Sequence, residues 1–266
     1  PLALVAIGQT LVVLLGLIDL SVGAVLTLSV VLGAGLARGN NAALPIAILV
    51  CLAIGGAIGA VNGLLITRLR LPALISTLAT ATMINGASWV YTNGAPNGSM
   101  PSALQFAANG KIGIVPVADL IVCVVFAAVI VLLTCTVFGR RLYATGANPR
   151  TARLTGIRVE RITVIAYVIC GALTAAGGLL LGGYIAVGTL NAGDPYVLNS
   201  LAVVLIGGAS LSGGEGGVFG TLVGVVILAV LTALLIQLSV PIALRSVLLA
   251  AIVIAGAILQ GRRIAS

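Results

Sequence analysis

Few side chains in this sequence could do acid–base or nucleophilic chemistry. The 266 residues include five acidic residues and no histidine, and the acids lie far apart along the chain, so no carboxylate pair or nucleophile–base set can be assembled. The four cysteines fall in apolar runs without C-x-x-C spacing, which disfavours a zinc site or a disulfide framework. The G-x-x-x-x-G-K-[ST] loop that binds nucleotide phosphates does not occur. The sequence therefore disfavours an enzyme, and we expect no cofactor on this chain.

The polar residues with an informative pattern lie in one basic segment, residues 138–162, FGRRLYATGANPRTARLTGIRVERI. Its single acid is Glu160. The segment also contains six of the thirteen basic residues of the chain: Arg140, Arg141, Arg150, Arg153, Arg158 and Arg161. Because basic residues collect in the cytoplasmic loops of membrane proteins, this segment is expected on the cytoplasmic side. The basic residues lie in loops and not along an amphipathic face, so nucleic acid is not an expected partner.

The middle of the basic segment predicts a short capped helix over residues 149–155. Asn148 is a suitable N-cap because its side-chain oxygen can accept from the free amides of the first turn. Pro149 suits the first helical position, and Gly156 suits the left-handed position that ends a helix. A helix of two turns is too short to be stable alone, which favours a partner packed against it. The alternative is an ordinary basic loop beside a membrane span.

The remaining sequence has the composition of a membrane protein. It is 61% hydrophobic and 7% charged, with a mean hydropathy of +1.29, far from a soluble domain. Its apolar runs are about 20 residues long, which is enough to cross a bilayer as helix. We therefore predict an all-α, polytopic helical bundle forming a single domain, 1–266. The nine predicted spans are 2–18, 20–37, 44–67, 72–90, 117–137, 163–182, 195–211, 218–238 and 242–259, and a short helix is expected at 103–108.

The basic clusters also predict the topology. Arg68 with Arg70, the loop 139–161, and Arg262 with Arg263 can all lie on the cytoplasmic side, because an even number of spans separates each pair of clusters. Nine spans then place the start of the chain outside, and one preceding helix would make ten. We expect a multi-pass protein of the inner membrane with a cytoplasmic C-terminus.

A weak internal similarity relates the two halves of the chain, 1–138 and 162–266. Residues 62–74 can be aligned with 231–243, with a proline ending both connections. The predicted topology makes these two stretches cross the membrane in opposite directions. The similarity therefore predicts an inverted repeat, which is common in transporters whose pathway lies between the halves.

Polar residues within the apolar runs are candidates for a translocation path. Asp19 followed by Ser21 can cap the second helix, but an ionisable residue at membrane depth is otherwise a pathway candidate. The candidates for a path or a helix break are Asp19, Ser21, Asn62, Thr77, Asn85, Asp194 and Ser210. Asp194 can also act as an N-cap before Pro195.

Residues 212–215, SGGE, have the spacing of a capping box, in which the first and fourth side chains bond the opposite backbone amides. That pattern gives Glu215 a structural role at a helix start instead of a catalytic one.

Five motifs, taken together, resemble the permease subunits of ribose-type sugar ABC importers, which are related to branched-chain amino-acid permeases. They are GLIDLSVG at 16–23, NGLL at 62–65, LPALISTL at 71–78, YATGANPRTARLTGI at 143–157 and IGGASLSGGEGGVFG at 206–220. The motifs occur in the family's order and span nearly the whole chain. Leu17 departs from the family, which usually has a second glycine there.

This resemblance implies a ten-helix permease that works as a dimer, a homodimer if both copies are this chain. Separate cytoplasmic ATPase subunits would hold ATP and magnesium, and a periplasmic sugar-binding protein would deliver the substrate. The basic segment would carry a coupling helix that docks on the ATPase. The residues implied in coupling are Gly146, Asn148, Pro149, Arg150, Arg153, Leu154 and Gly156.

The coupling hypothesis assigns two kinds of contact to this helix. Arg150 and Arg153 would pair with acids of the ATPase, and Ala152 and Leu154 would pack into its groove.

The substrate and the transport class stay open at this point. The stretch IDLSVG at 18–23 resembles the sugar branch, which favours a ribose-like pentose or a hexose. A branched-chain amino-acid permease is the nearest alternative, because it shares the glycine-rich motif. An ion-coupled secondary carrier and a structural membrane scaffold are the alternatives from other classes.

Overall fold

The apolar runs form helices throughout the described chain. The structure, a computed structural model, describes residues 1–241, 244, 245, 247, 248, 250 and 251. Most of the ninth predicted span, 242–259, and both Arg262 and Arg263 lie outside the described residues. The helices are α1 (Leu2–Val13), α2 (Val22–Ala37), α3 (Leu44–Arg68), α4 (Ala73–Thr92), α5 (Ser102–Asn109), α6 (Val117–Cys135), α7 (Val137–Ala147), α8 (Pro149–Leu154), α9 (Val159–Ile185), α10 (Asp194–Ile206) and α11 (Val218–Gln237).

Small elements complete the fold, and the strands among them depart from the all-α prediction. One 3₁₀ turn, Asn41–Ala43, leads into α3. Strand β1 (Asn97–Ser99) pairs antiparallel with β4 (Val187–Gly188), and β2 (Lys111–Ile112) pairs with β3 (Val115–Pro116). The helix predicted at 103–108 is confirmed as α5.

Four of the described helical segments are long and apolar enough to cross a membrane: Asn41–Arg68, Val117–Cys135, Val159–Ile185 and Val218–Gln237. The predicted spans 2–18, 20–37 and 195–211 are shorter apolar helices in the structure, α1, α2 and α10. At 1.5 Å per residue, the 16 residues of α2 span about 24 Å and the 13 residues of α10 about 20 Å, less than the ~30 Å hydrocarbon core. Where α2 and α10 cross the membrane, the non-helical backbone that continues them must be buried in protein.

Helix α1 lies at the centre of the described bundle. Leu4, Val5, Ile7 and Leu11 are completely buried, and the helix packs against α6, α9, α10 and α11. Its two polar side chains, Gln9 and Thr10, are also completely buried, as expected for a helix that other elements surround. This burial and these contacts place α1 in the core.

Helices α3 and α9 approach each other closely through small residues. A Cβ atom at Gly55 would meet the backbone of Gly171, and one at Gly59 would meet the carbonyl oxygen of Tyr167. Because glycine lets two helix backbones come into direct contact, this interface is tight. It holds α9, the longest helix described, beside α3.

The first turns of α2 and α10 meet inside the molecule. Gly23 of α2 lies directly against Gly193, the residue before α10, and a Cβ on either one would collide with the other's backbone. The Gly193 N–H donates to the hydroxyl oxygen of Thr27, at 2.9 Å. Residues 14–21 and 189–193 are the non-helical segments that precede these two helices, and we call them the two helix breaks.

The basic segment contains two helices where the sequence predicted one. The predicted helix at 149–155 is confirmed as α8, but the residues before it form α7, in which the Thr136 side chain accepts from the Gly139 N–H at the N-terminus. The sequence analysis predicted no helix at 137–147, and this is wrong. Leu142 is completely buried on the apolar face of α7, and the two glycines of this helix made that face hard to recognise in the sequence.

Three further caps predicted from local spacing are wrong. Ser21 is the N-cap residue of α2, but no side chain caps that helix, because the Asp19 carboxylate accepts from Ser21 itself. Helix α10 begins at Asp194 with Gly193 as its N-cap, so the Asp194 side chain does not cap it. Helix α11 begins at Val218, after Gly217, without a side-chain cap. Gly213 and Gly214 have φ values of +85° and +77°, and this left-handed backbone turns the chain away from a helix start, so the capping box at 212–215 does not form.

Candidate functional site

The break between α1 and α2 is a buried polar cluster. Asp19 is 2% exposed, and its Oδ1 accepts from the Ser21 N–H at 2.8 Å and from the Ser21 hydroxyl at 2.6 Å. The Ser21 oxygen in turn accepts from Asn62 Nδ2 at 2.9 Å. Three residues predicted for a path or a helix break thus form one hydrogen-bonded chain, which joins the start of α2 to α3.

Two further helices complete this cluster. The Leu20 N–H donates to Thr77 Oγ1 of α4 at 3.1 Å, and the Tyr167 hydroxyl of α9 donates to the Ile18 carbonyl at 3.1 Å. Thr77 and Tyr167 are completely buried. Side chains from α4 and α9 therefore bond backbone groups of the break, and Asn62 of α3 bonds the Ser21 side chain; such partners are the condition for non-helical backbone at membrane depth. We call Asp19, Ser21, Asn62, Thr77 and Tyr167 the break cluster.

The other three path candidates lie apart from the break cluster. Asn85 is half-buried on α4, eight residues beyond Thr77, and Asp194 is exposed at the start of α10. Ser210 lies in the loop between α10 and α11, where its N–H donates to the Glu215 carbonyl at 3.0 Å. A role for any of these residues in transport stays a prediction.

The capped helix α8 has the geometry that its sequence predicts. Asn148 Oδ1 accepts from the Arg150 N–H at 3.0 Å and from the Thr151 N–H at 3.1 Å, and Pro149 occupies the first helical position. Gly156 has a φ of +82° with open space where a Cβ would lie. Local side-chain and backbone chemistry is therefore sufficient to define this helix.

Only part of the expected docking face of α8 is accessible. Leu154 is 88% exposed, and Arg150 is also exposed. Ala152 is 3% exposed, so the prediction that it packs into a partner's groove is wrong; it lies on the face that α8 turns toward its own chain. Arg153 donates from Nε and Nη2 to Glu160 Oε1, at 3.1 and 2.9 Å, which ties α8 to α9.

Helix α7 joins the basic segment to the rest of the bundle. The Tyr143 hydroxyl donates to the Gly216 carbonyl at 2.9 Å, and burial raises the pKa of the Tyr143 phenol above its ordinary value. A Cβ at Gly146 would collide with the Leu14 carbonyl oxygen at the end of α1. Gly146 thus brings α7 into direct backbone contact with the residues that lead into the break.

Sequence comparison places this architecture in a known family. The chain matches, over residues 1–257, the family described as "Branched-chain amino acid transport system / permease component". The chain belongs to this permease family. Together with its membrane-length apolar helices, this makes it a multi-pass membrane protein.

Three relatives show how this permease compares with curated proteins. It is 40% identical over 232 residues to the ribose import permease protein RbsC of Bacillus subtilis, covering 86% of this chain and 71% of the relative. The RbsC of Escherichia coli is 39% identical over 234 residues, 86% and 72% of the two chains. The autoinducer 2 import system permease protein LsrC of Photorhabdus luminescens is 34% identical over 242 residues, 90% and 72%. No solved structure matches the chain.

A cavity of about 540 Å³ lies between the break and α8 in this permease. Its walls combine Leu15 and Leu17, at the end of α1, with the Arg153–Glu160 ion pair. Thr145 also lines it, and its buried hydroxyl has no hydrogen-bond partner among the described residues. The cavity separates the basic segment from the break cluster on this side, so the two are joined by the contacts of α7.

The sequence analysis did not single out Tyr143, Thr145 or Tyr167, which the structure places in or beside the candidate site. A tyrosine within an otherwise apolar span, such as Tyr167, has a hydroxyl that needs a partner when it is buried. That rule could have marked Tyr167 as a residue of a helix break. It could not have named the partner, the carbonyl of Ile18, which lies 149 residues away.

Proposed function

We propose that this chain is the transmembrane permease subunit of an ATP-binding-cassette importer that moves a sugar, a ribose-like pentose or a hexose. The observation that carries the proposal is the capped helix α8, which presents Leu154 and Arg150 outward while α7 contacts the residues leading into the break. A short exposed helix tied to a buried helix break is suited to transmit movement from a partner. The relatives, named for ribose import, support the sugar.

The interior of the bundle suits a neutral, hydroxyl-rich solute. Asp19 is the only buried acidic or basic residue among those described, and its accepting oxygen is engaged with Ser21. Coupling to an ion gradient normally uses several intramembrane ionisable groups, which disfavours a secondary carrier. The energy for import would come from cytoplasmic ATPase subunits that hold ATP and magnesium, and this chain would bind no cofactor.

The proposed topology places the loop 139–161 and the C-terminus in the cytoplasm of a cell with an inner membrane. A periplasmic binding protein would deliver the sugar to the opposite face and supply most of the selectivity. A second copy of the permease would complete the path, which would run along the dimer interface or between the halves of each copy.

The packing of the short helices supports an inverted repeat. Helices α2 and α10 meet by their first turns, and each precedes a long helix. After α2 comes α3, which packs against α9, and after α10 comes α11, which packs against α1. Repeats of opposite topology with broken helices at their interface are a recurrent plan for transporters. We therefore propose that residues 1–138 and 162–266 are the two halves of such a repeat.

A second candidate substrate is a branched-chain amino acid, which the description of the matching family names. Uptake assays decide between the two. The permease would be reconstituted in proteoliposomes with the ATPase and binding protein encoded beside its gene. Uptake of labelled ribose, hexoses and leucine would be measured with and without internal ATP.

Each outcome has a defined meaning. Sugar uptake that needs ATP and both partners supports the proposal, and leucine uptake moves the permease to the amino-acid branch. Uptake without ATP indicates a secondary carrier, and a folded, assembled complex that moves none of these solutes contradicts sugar import and favours a scaffold.

A further inference from the structure

Three separate segments meet in backbone contact beneath the break. They are the end of α1 with Gly16, the end of α7 with Gly146, and the loop between α10 and α11 with Gly213 and Gly214. The Gly214 N–H donates to the Leu14 carbonyl at 2.9 Å. A Cβ at Gly213 would lie 2.7 Å from the Gly16 nitrogen and 2.9 Å from the Gly146 oxygen. We call these four glycines the glycine junction.

The glycine junction contains no side chain that could absorb a displacement. At most interfaces a flexible side chain can change rotamer when one backbone moves, but here each backbone contacts the next directly. Backbones in direct contact transmit strain because no free volume lies between them. A shift of α7 therefore has to move both the end of α1 and the loop 207–217.

A second contact keeps α7 and this loop together. Tyr143 lies three residues before Gly146, on the same face of α7, and its hydroxyl donates to the Gly216 carbonyl. Two points of attachment prevent α7 from rolling over the loop, so the pair should move as one unit.

The two segments that α7 contacts each lead to a helix break. Gly16 is followed within three residues by Asp19 of the break cluster. The loop 207–217 follows α10, and at its other end α10 meets α2 through Gly193 and Gly23, with the Gly193 N–H on Thr27. The glycine junction is thus connected to the break 14–21 directly and to the break 189–193 through α10. These two breaks lead into α2 and α10, the helices that contact each other.

We propose that the glycine junction is the positioning element through which movement of α7 and α8 reaches both helix breaks at once. This inference rests on the proposed function, since it assumes that an ATPase moves α8. Its residues act on transport through the breaks and do not touch the solute.

Matched pairs of glycine substitutions test this proposal. Gly213 and Gly208 have φ values of +85° and +84°, but a Cβ at Gly208 meets open space. Gly213→Ala and Gly208→Ala therefore share the same backbone strain, and only the first disturbs the glycine junction. Gly146→Ala and Gly86→Ala form a helical pair in which, again, only the first has a close contact.

Uptake and ATP hydrolysis would be measured in the same proteoliposomes. We expect the two junction variants to move about tenfold less solute per ATP hydrolysed than their controls, within the range by which mutations change coupling between sites. The same ratio for Gly213→Ala and Gly208→Ala would overturn the proposal. Tyr143→Phe, which removes one hydroxyl and adds no bulk, guards against misfolding and should lower the ratio in the same direction.

A readout that needs no solute separates this proposal from the proposed function. Hydrogen exchange at residues 16–21 would be compared before and after nucleotide binding by the assembled complex. The proposal requires a nucleotide-dependent change in the wild type and in Gly208→Ala that is reduced in Gly213→Ala. If that pattern is seen without ATP-dependent uptake, sugar import is contradicted but the role of the glycine junction is supported. A change of equal size in both variants would contradict the role of the glycine junction.

Discussion

Arg153 of α8 and Glu160 of α9 form an ion pair in which the Arg153 Nη2 lies 2.9 Å from Glu160 Oε1. Both side chains are about half exposed, at 55% and 42%. Glu160 is the only acid of the basic segment, and it lies in the first turn of α9, where the helix dipole favours a carboxylate. The arginine that the sequence assigned to a partner's acids therefore already has a partner on its own chain.

Exchanging the two charges distinguishes two roles of Arg153, an ion pair with Glu160 of its own chain and an ion pair with an acid of the ATPase. We expect Arg153→Glu and Glu160→Arg each to lower the solute moved per ATP, because each places two like charges together where α8 meets α9. The double variant should restore it. The stability change should be small, about 0.2–1 kcal/mol, because the pair is exposed, so the measurement is coupling and not unfolding.

Arg150→Glu is the matched control, since Arg150 is exposed on the same helix and forms no ion pair among the described residues. It should alter docking on the ATPase without a change at α9. A double charge exchange that stays as uncoupled as Arg153→Glu would mean that Arg153 acts on the partner's acids instead.

The cap at Asn148 should control the order of α8. Asn148→Ala removes the acceptor of two backbone N–H groups and should destabilise the helix by about 1 kcal/mol. Hydrogen exchange of residues 149–155 in detergent should accelerate, while α9 stays protected. Asn148→Asp keeps the acceptor and should leave exchange near the wild-type rate. Equal exchange in all three proteins would show that packing, and not the cap, holds α8.

The carboxylate of Asp19 should be required chiefly as a hydrogen-bond acceptor. Asp19→Ala leaves the buried N–H and hydroxyl of Ser21 without this acceptor, which should cost about 1–3 kcal/mol. Asp19→Asn keeps an accepting oxygen and should retain most of the thermal stability of the purified protein. Asp194→Ala, at an exposed acid, is the control and should change stability by less than about 1 kcal/mol. If Asp19→Asn is as unstable as Asp19→Ala, the negative charge itself is needed.

Leu154 should contribute to ATPase binding without supporting the fold. Its side chain is 88% exposed, so Leu154→Ser should leave thermal stability unchanged. If the side chain is buried on docking, the affinity for the ATPase should fall by about 10- to 100-fold, the equivalent of burying one leucine. Ile114→Ser is the control, because Ile114 is 93% exposed on the β2–β3 hairpin, which α6 separates from α7 and α8. Unchanged binding by Leu154→Ser would exclude Leu154 from the docking face.

Local chemistry was enough to predict α8 and the membrane character of the chain. Asn148, Pro149 and Gly156 act within a few residues of one another, so their order in the chain already contains the helix start and stop. Hydropathy is equally local, because a long apolar run is stable in a bilayer as helix whatever its neighbours are. The resemblance of five short motifs also identified the permease family correctly.

The ends of the apolar helices and the meeting points between them depended on the tertiary structure. Gly16, with a φ of +72°, is the one local signal for a helix end in the run 2–18, but the break that follows is stabilised by Asn62, Thr77 and Tyr167 from distant helices. The box at 212–215 failed for a related reason: its glycines serve contacts with Gly16 and Gly146. Caps and hydropathy act over one or two turns, whereas helix breaks and backbone contacts are decided by groups far apart in the chain, and these exist only once the helices have packed.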